Sequence, residues 1–153
     1  MEYFFLSLFV FTTVALAIEA AFTSVGYQIL AACRRQKINW GLPSSTSIWA
    51  LPVYGLSAAA SFAFVSEVAP DFFDLAWPIR GLIYMVVIYA WELGWGRLIE
   101  AGTGKCPWQY FGSSLRIFRY INPFYAPCWF GFGFLLERIY LQLMPHLALL
   151  FLN

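Results

Sequence analysis

Charged residues are scarce in this sequence, and that scarcity argues against a soluble protein. Only 11% of the 153 residues are charged, whereas 61% are hydrophobic and 21% aromatic. A soluble domain carries about 25% charged residues, and 16 Phe, 9 Tyr and 7 Trp are too many for one small water-soluble core. The composition therefore predicts a multi-pass integral membrane protein, with one domain over residues 1–153 and the lipid bilayer as its partner.

Basic stripes, phosphate-binding loops and metal ligands are also missing, and each absence excludes a kind of site. The net charge is +1 and no GxxxxGK[ST] loop occurs, so we expect neither a nucleic-acid nor a nucleotide partner. The one histidine, His146, is far from Cys106, and the other cysteines, Cys33 and Cys128, are isolated as well. The sequence therefore predicts no metal, no cofactor and no Cys–His nucleophile.

Four apolar stretches are long enough to cross a bilayer, which takes about 20 helical residues. The predicted helices cover roughly residues 3–32, 48–69, 77–99 and 124–144. Pro145 then interrupts the pattern, so the apolar tail, residues 145–153, either continues the helix past a kink or lies in the membrane interface. The predicted fold is an all-α bundle of four transmembrane helices, with Pro127 and Pro145 as candidate kinks.

A cleavable signal peptide is the rival interpretation of the first stretch. Small residues stand at cleavage-like spacing in residues 14–17. However, no basic residue precedes the run, and the run is longer than an h-region of about 7–15 residues. A retained helix is the favoured interpretation.

The second predicted helix is rich in small residues. Ser57 and Ser61 are four residues apart, as are Ala59 and Ala63. Small residues at this spacing let helix backbones approach closely. We therefore expect this helix to be central in the bundle, with the small face serving packing.

Three glutamates, Glu19, Glu92 and Glu137, lie inside the stretches predicted to cross lipid. A carboxylate at bilayer depth is costly unless it is paired, hydrated or protonated, so each is a candidate functional residue. Polar, small or aromatic residues share the helical face of each glutamate at a spacing of three or four: Thr23 for the first, Tyr89, Trp95 and Gly96 for the second, Gly133 and Tyr140 for the third.

Three interpretations of these acids compete. They pair with arginines, Arg97 and Arg138 being the candidates, and the pairs are structural. Alternatively they are protonated, because burial disfavours the charged form, and they donate hydrogen bonds between helices. In the third interpretation they line a polar cavity for a cation, a proton or a lipid headgroup. The candidate ligand or ion residues are then Glu19, Glu92, Glu137, Tyr54, Tyr89 and Trp129.

Two further patterns are candidates for sites. The loop motif of Cys106, Pro107, Trp108 and Tyr110 is typical of a turn anchored by aromatic side chains in the headgroup layer. A catalytic pair of carboxyls would need Glu92 and Glu137 to share a proton across helices, and the sequence does not show that they meet. No catalytic residue is predicted.

Several motifs together resemble a known family. They are Glu19 with Phe22 and Thr23, Asn39-Trp40, the run from Thr46 to Gly55, Trp91-Glu92 with Gly94 and Gly96, residues 106–110, and residues 126–130 followed by Glu137. Their order and spacing resemble the transmembrane protein 229 family and, more loosely, the bacterial membrane proteins of the ABC-transporter type IV group. The resemblance implies a small multi-pass membrane protein without a settled activity. Gln109 stands where the family carries an acid.

The orientation of the helices is left open by two opposing signals. The connections after the first and third helices hold most of the basic residues, namely Arg34, Arg35, Lys37, Lys105, Arg116 and Arg119. Since basic connections are typically cytoplasmic, this distribution places these two connections in the cytoplasm and the termini outside. The family carries basic residues after its second helix, where this chain has Asp71 and Asp74, and that family pattern implies cytoplasmic termini.

The favoured function is a non-enzymatic bundle that binds or passes a small ion, solute or lipid through a polar core. Since four helices are few for a solute path, a transporting form would be a homo-oligomer or have a membrane-protein partner. The alternative is a structural or accessory subunit of a membrane complex, and a lipid-modifying membrane enzyme is third.

Overall fold

The computed structural model describes residues 1–33, 35–37, 48–49, 51–105, 108 and 120–152. Over this part of the chain the structure is helical and contains no strand. The helices that are long and apolar enough to cross a membrane are Glu2–Cys33, Leu51–Val68, Trp77–Thr103 and Pro123–Phe151, called here the first to fourth helices. The all-α fold of four membrane-length helices predicted from the sequence is confirmed.

Two of the long helices change their winding along their length. The second begins with a π-helical segment, Leu51–Leu56, and continues as the α-helix Ser57–Val68. The short 3₁₀ turn Pro70–Asp74 leads into the third helix. The fourth helix contains four segments in sequence: 3₁₀ Pro123–Tyr125, α Ala126–Arg138, π Ile139–Leu143 and α Met144–Phe151.

The prolines of the fourth helix sit where their missing N–H group is tolerated. Pro127 lies in the first turn of Ala126–Arg138, where a backbone donor would have no helical partner, so it marks a helix start. Pro145 lies two residues after the end of the π-helical segment Ile139–Leu143, whose wider turn locally changes the hydrogen-bond pattern. The apolar tail thus continues the fourth helix to Phe151.

Stacked aromatic rings form the middle of the bundle. Phe62 of the second helix stacks on Tyr140 of the fourth at a centroid distance of 5.0 Å and on Phe11 of the first at 5.7 Å. Phe11 and Met144 are completely buried. Ser66 donates a hydrogen bond of 3.0 Å to the Tyr140 hydroxyl, so the polar tip of this partly buried ring is satisfied.

The second helix is the most enclosed of the four. Buried residues make up 33% of its apolar window, against 22%, 22% and 17% in the first, third and fourth helices. Ser57, Ala58 and Ala59 are buried. A side-chain carbon on Gly55 would lie 1.9 Å from Thr12 Oγ1 and 3.2 Å from Thr12 Cα, so the first helix can approach only because that carbon is missing.

Tryptophans of the third helix hydrogen-bond to serines of the second. Trp95 Nε1 donates to Ser57 Oγ at 2.9 Å, and Trp91 Nε1 donates to Ser61 Oγ at 3.0 Å. Both pairs have the same spacing of four residues, so one turn of each helix matches one turn of the other. The small face of the second helix therefore fixes the register of the third helix as well as its distance.

Candidate functional site

Glu137 belongs to a buried ion pair with Arg80. The Arg80 Nε–Glu137 Oε2 distance is 3.0 Å and the Nη2–Oε1 distance is 3.2 Å, so two hydrogen bonds join the two planar groups. The side chains are only 16% and 6% exposed, respectively. Tyr84 also donates a hydrogen bond to Glu137 Oε2. The carboxylate is thus held by a cation and a hydroxyl.

The rest of the Arg80 guanidinium is satisfied by backbone carbonyls. Arg80 Nη1 donates to the carbonyls of Phe73 at 2.7 Å and Leu75 at 2.6 Å, both in or beside the turn before the third helix. The guanidinium carbon also lies 5.7 Å from the centroid of the Phe134 ring. This one side chain therefore ties the turn, the third helix and the fourth helix together.

The predicted partners of the glutamates are corrected by this geometry. Arg97 and Arg138 are both exposed, whereas Arg80 occupies the buried position next to Glu137. Arg138 follows Glu137 directly in sequence, and neighbouring residues of a helix point in different directions. Pairing with an arginine is thus found for Glu137, with a different arginine from those expected.

Glu92 is the most deeply buried of the three glutamates, at 2% exposure. It lines a small cavity of about 90 Å³ between the second, third and fourth helices. Ser57, Tyr84 and Trp91 are among the other lining residues. The space is enough for a few water molecules at most, so it cannot hold an organic ligand.

Glu19 lines a much larger cavity, of about 440 Å³, which we call the Glu19 cavity. The first helix contributes Glu19 and Thr23, the second contributes Tyr54, and the fourth contributes several residues from Tyr125 to Leu135. Trp108, from the connection after the third helix, completes the lining. Elements from most of the chain length thus meet around this cavity.

Aromatic rings dominate the wall of the Glu19 cavity, and five of them form a continuous series of contacts. Their centroids are 5.3 Å apart for Phe22–Tyr125, 6.2 Å for Tyr125–Trp129, 6.1 Å for Trp129–Phe132 and 6.5 Å for Phe132–Tyr54. We call this set the aromatic series. Since each ring supports the next, the wall of the cavity is preformed.

Few polar groups interrupt this aromatic wall. Glu19 is the charged side chain among the described residues that line the cavity. The Nε1 donor of Trp129 is buried and has no hydrogen-bond acceptor within the described part of the chain. Buried donors are normally paired, so the N–H group of Trp129 is unusual.

Tyr54 connects the two cavities. It lines both of them, as does Phe132. Glu92 lines the smaller cavity, and Glu19 lines the larger one. Two of the three intramembrane glutamates therefore share a tyrosine, while Glu137 lies in the separate Arg80 pair.

The candidate residues named from the sequence fall into three groups. Glu19, Tyr54 and Trp129 meet at the Glu19 cavity, whereas Glu92 meets Tyr54 at the smaller one. Glu137 is in the ion pair. Tyr89 is not among the lining residues of either cavity, and its hydroxyl donates to the carbonyl of Asn122 at 3.1 Å.

The loop motif contributes one described residue to the site. Trp108 lines the Glu19 cavity and donates a hydrogen bond of 3.0 Å from Nε1 to the carbonyl of Tyr120. Cys106, Pro107 and Tyr110 lie outside the described residues. The tryptophan thus has a defined place in the bundle, beyond the headgroup anchoring expected of it.

Sequence reasoning missed Arg80, Tyr125 and Phe132. Arg80 and Tyr84 are four residues apart at the start of the third helix, and that spacing could have marked a polar pair facing another helix. Tyr125 and Phe132 carry no such signal, because aromatic residues are frequent throughout this sequence. Tyr125 and Phe132 become recognisable as site residues only from the packing of the fourth helix against the first two.

The pair of carboxyls considered for catalysis is not formed by Glu137. Among the described residues, the hydrogen bonds of its carboxylate go to Arg80 and Tyr84. No second carboxyl is among these partners, so the described part of the chain forms no carboxyl pair at Glu137. The geometry around Glu137 is that of a structural ion pair.

No protein-family profile matches this sequence, and no solved structure matches the fold. The resemblance to the transmembrane protein 229 family stays a prediction. The functional argument therefore rests on the geometry of the site.

Proposed function

We propose that this chain is a multi-pass membrane protein that binds a small, largely apolar ligand in the Glu19 cavity and performs no chemistry on it. The observation that carries the proposal is the convergence of Glu19, Tyr54 and Trp129 on one cavity of about 440 Å³. Each of the three was singled out from a different helix. Their meeting at one cavity of this size is what a binding site requires.

The size and the lining of the cavity support this function. Ligand sites in proteins are concave, have volumes of about 300–1,000 Å³, and are apolar except for a few polar groups that orient the ligand. The Glu19 cavity has that volume and that composition. The cavity beside Glu92 is about 90 Å³ and is better suited to water or a small ion.

The four membrane-length helices support a location within lipid. Apolar side chains are exposed along all of them, including Phe9, Phe64, Val86 and Leu149. In water such a surface would cause aggregation, whereas a bilayer solvates it. A ligand that partitions into lipid would reach the cavity without crossing water.

Native mass spectrometry of the protein extracted from membranes in a mild detergent tests the proposal. We expect the wild-type protein to retain a small-molecule adduct and Gly131→Leu to lose it. Gly131 lines the cavity, and a side-chain carbon there meets no atom within 4 Å, so leucine fills space without a backbone clash.

Gly94→Leu is the matched control. Gly94 also has open space at its side-chain position, but it is not among the residues that line the cavity. The control should retain the adduct. A wild-type protein without any adduct, or an adduct unaffected by Gly131→Leu, would contradict the proposal.

The second candidate function is that of a structural or accessory subunit, alone or as a homo-oligomer. The Arg80–Glu137 pair favours it, because in this pair one of the three glutamates serves to hold the helices together. The two functions differ in whether the Glu19 cavity holds a ligand. A purely structural subunit would tolerate Gly131→Leu without any change in bound small molecules.

A further inference from the structure

We propose that the ligand of the Glu19 cavity is an amphiphilic organic cation, an ammonium group that carries an apolar substituent. This inference rests on the proposed function, since it names the chemical class of the ligand for the same cavity. Two properties of the lining carry it: the sign of its charge and the nature of its rings.

The charge of the described lining is negative. Glu19 is acidic, and no basic side chain is found among the described residues that line the cavity. In a partly desolvated space a carboxylate attracts a cation far more strongly than it does in water. The same carboxylate would repel an anionic ligand. The lining therefore favours a cation over an anion.

The aromatic series adds a second preference for cations. The face of an aromatic ring carries partial negative charge, and ammonium groups bind over Trp, Tyr and Phe within about 6 Å of the centroid. Tyr125, Trp129 and Phe132 place three consecutive rings of the series on the cavity wall. Protein sites for quaternary ammonium groups are built from such rings.

The apolar remainder of the wall accounts for the substituent. Ala15, Ile18 and Leu135 line the same space as the rings. They offer an alkyl chain a surface that a small hydrated cation could not use. A metal ion would need several oxygen ligands, and one carboxylate among rings does not provide them.

Isothermal titration calorimetry in maltoside micelles, which contain no competing ammonium group, tests the inference. The probes are octyltrimethylammonium, octanesulfonate and octanol, which share one alkyl chain and differ in charge. We expect octyltrimethylammonium to bind at least tenfold more tightly than the other two. Short-chain phosphatidylcholine is a fourth probe: if it binds as well, the natural source is a lipid headgroup, and if it does not, the source is a free amine.

Three variants then assign the binding to the cavity. Glu19→Gln keeps the shape and removes the charge, so we expect roughly tenfold weaker binding of octyltrimethylammonium. Glu67→Gln removes an exposed charge at the other end of the second helix and should leave the affinity unchanged. Trp129→Leu keeps an apolar wall and should weaken the binding of octyltrimethylammonium more than the binding of octanol.

The failures of the two proposals are distinguishable. If octanol or octanesulfonate binds as tightly as the cation and Gly131→Leu abolishes that binding, the cavity is a ligand site and the preference for cations is wrong. If no probe binds, the preference for cations is overturned, and the adduct test with Gly131→Leu decides separately whether the cavity is a ligand site. If circular dichroism shows that Glu19→Gln does not fold, the comparison of the probes on the wild-type protein still tests the preference for cations.

Discussion

At the scale of the single residue, the Arg80 guanidinium joins segments that are far apart in sequence. Its partner Glu137 lies 57 residues away, and the carbonyls of Phe73 and Leu75 accept its remaining donors. Burying one charge without the other would be strongly unfavourable in a low-dielectric environment. The pair is therefore a condition for the third and fourth helices to pack as they do.

Replacement of Arg80 should destabilise the bundle far more than replacement of the neighbouring candidate Arg138. Arg80→Gln leaves the Glu137 carboxylate buried without its cation, and we expect a loss of about 3 kcal/mol in the free energy of unfolding. Arg138→Gln alters an exposed side chain and should change it by less than about 0.5 kcal/mol. Unfolding by sodium dodecyl sulfate in mixed micelles measures both.

The double variant Arg80→Gln with Glu137→Gln provides the internal check. Because it removes both charges, it should be more stable than Arg80→Gln alone. Equal losses for Arg80→Gln and Arg138→Gln would mean that the ion pair has no structural role.

The acids could be recognised from the sequence, but their environments could not. A glutamate inside an apolar run is visible in the sequence, so Glu19, Glu92 and Glu137 were all identified. Their partners depend on which helix faces which. Arg138 is adjacent to Glu137 in sequence, yet Arg80, from another helix, is adjacent in space.

At the scale of the helix, close approach depends on a few small residues of the second helix. Gly55 lies against Thr12 of the first helix, and Ser57 and Ser61 accept hydrogen bonds from the third. In lipid there is little hydrophobic force between helices, so close packing and hydrogen bonds must hold them together.

Gly55→Ala should destabilise the protein because the added methyl group overlaps Thr12. The ideal carbon position is 1.9 Å from Thr12 Oγ1, so one of the two helices must shift, at a cost of about 1–3 kcal/mol. Gly94→Ala is the control: its methyl group meets no atom within 4 Å, and helix propensity favours alanine by about 1 kcal/mol.

Thr12→Ala in the Gly55→Ala background removes the closest atom and should restore part of the stability. Thermal unfolding in detergent measures all three proteins. If Gly55→Ala is as stable as Gly94→Ala, the first and second helices are not packed in the way described.

The hydrogen bond between Trp95 and Ser57 should be measurable as a coupling between the two residues. Ser57→Ala leaves the indole N–H of Trp95 without its acceptor, at a cost of about 1 kcal/mol. Trp95→Phe should destabilise the protein less in the Ser57→Ala background than in the wild type. Purely additive effects in this double-mutant cycle would contradict a direct bond.

Apolar run length was enough to predict the helices but not their exact course. The sequence leaves open whether residues 145–153 continue the fourth helix past a kink or lie in the membrane interface, and the structure continues the helix through Pro145 to Phe151. Proline normally ends a helix, but Pro145 lies in the first turn of the α-helical segment Met144–Phe151, which follows the π-helical winding of Ile139–Leu143. Such winding has no clear signature in a sequence, because it results from packing against neighbouring helices.

At the scale of the whole molecule, the number of membrane-length helices determines where the ends of the chain lie. The part of the chain that the structure describes contains four such helices, an even number. If all four cross the bilayer, both ends of this chain are on the same side. The Arg80 charge is neutralised by Glu137, so it does not add a free positive charge beside Asp71 and Asp74.

Epitope tags placed before Met1 and after Asn153 should therefore share one protection pattern. In sealed membrane vesicles, a protease added outside should remove both tags or neither. Cleavage of one tag alone would show an odd number of crossings and would contradict the four-span arrangement.

The Glu19 cavity could be predicted only in part, because its walls come from elements distant in sequence. Glu19, Tyr54 and Trp129 were named as candidates, but nothing in the pattern indicated that they meet. Trp108 reaches the cavity from a connection between helices. The position of such a residue depends on the packing of the complete bundle.

The most direct test of the central claim is the rate at which N-ethylmaleimide labels Cys128, with and without octyltrimethylammonium. Cys128 lines the Glu19 cavity, whereas Cys33 ends the first helix and is not among the lining residues, so single-cysteine proteins provide a probe and a control. Binding in the cavity predicts that the amphiphile slows the labelling of Cys128 and leaves that of Cys33 unchanged. Equal effects on both cysteines, or no effect on Cys128 from either saturating octyltrimethylammonium or saturating octanol, would contradict a ligand site at Glu19.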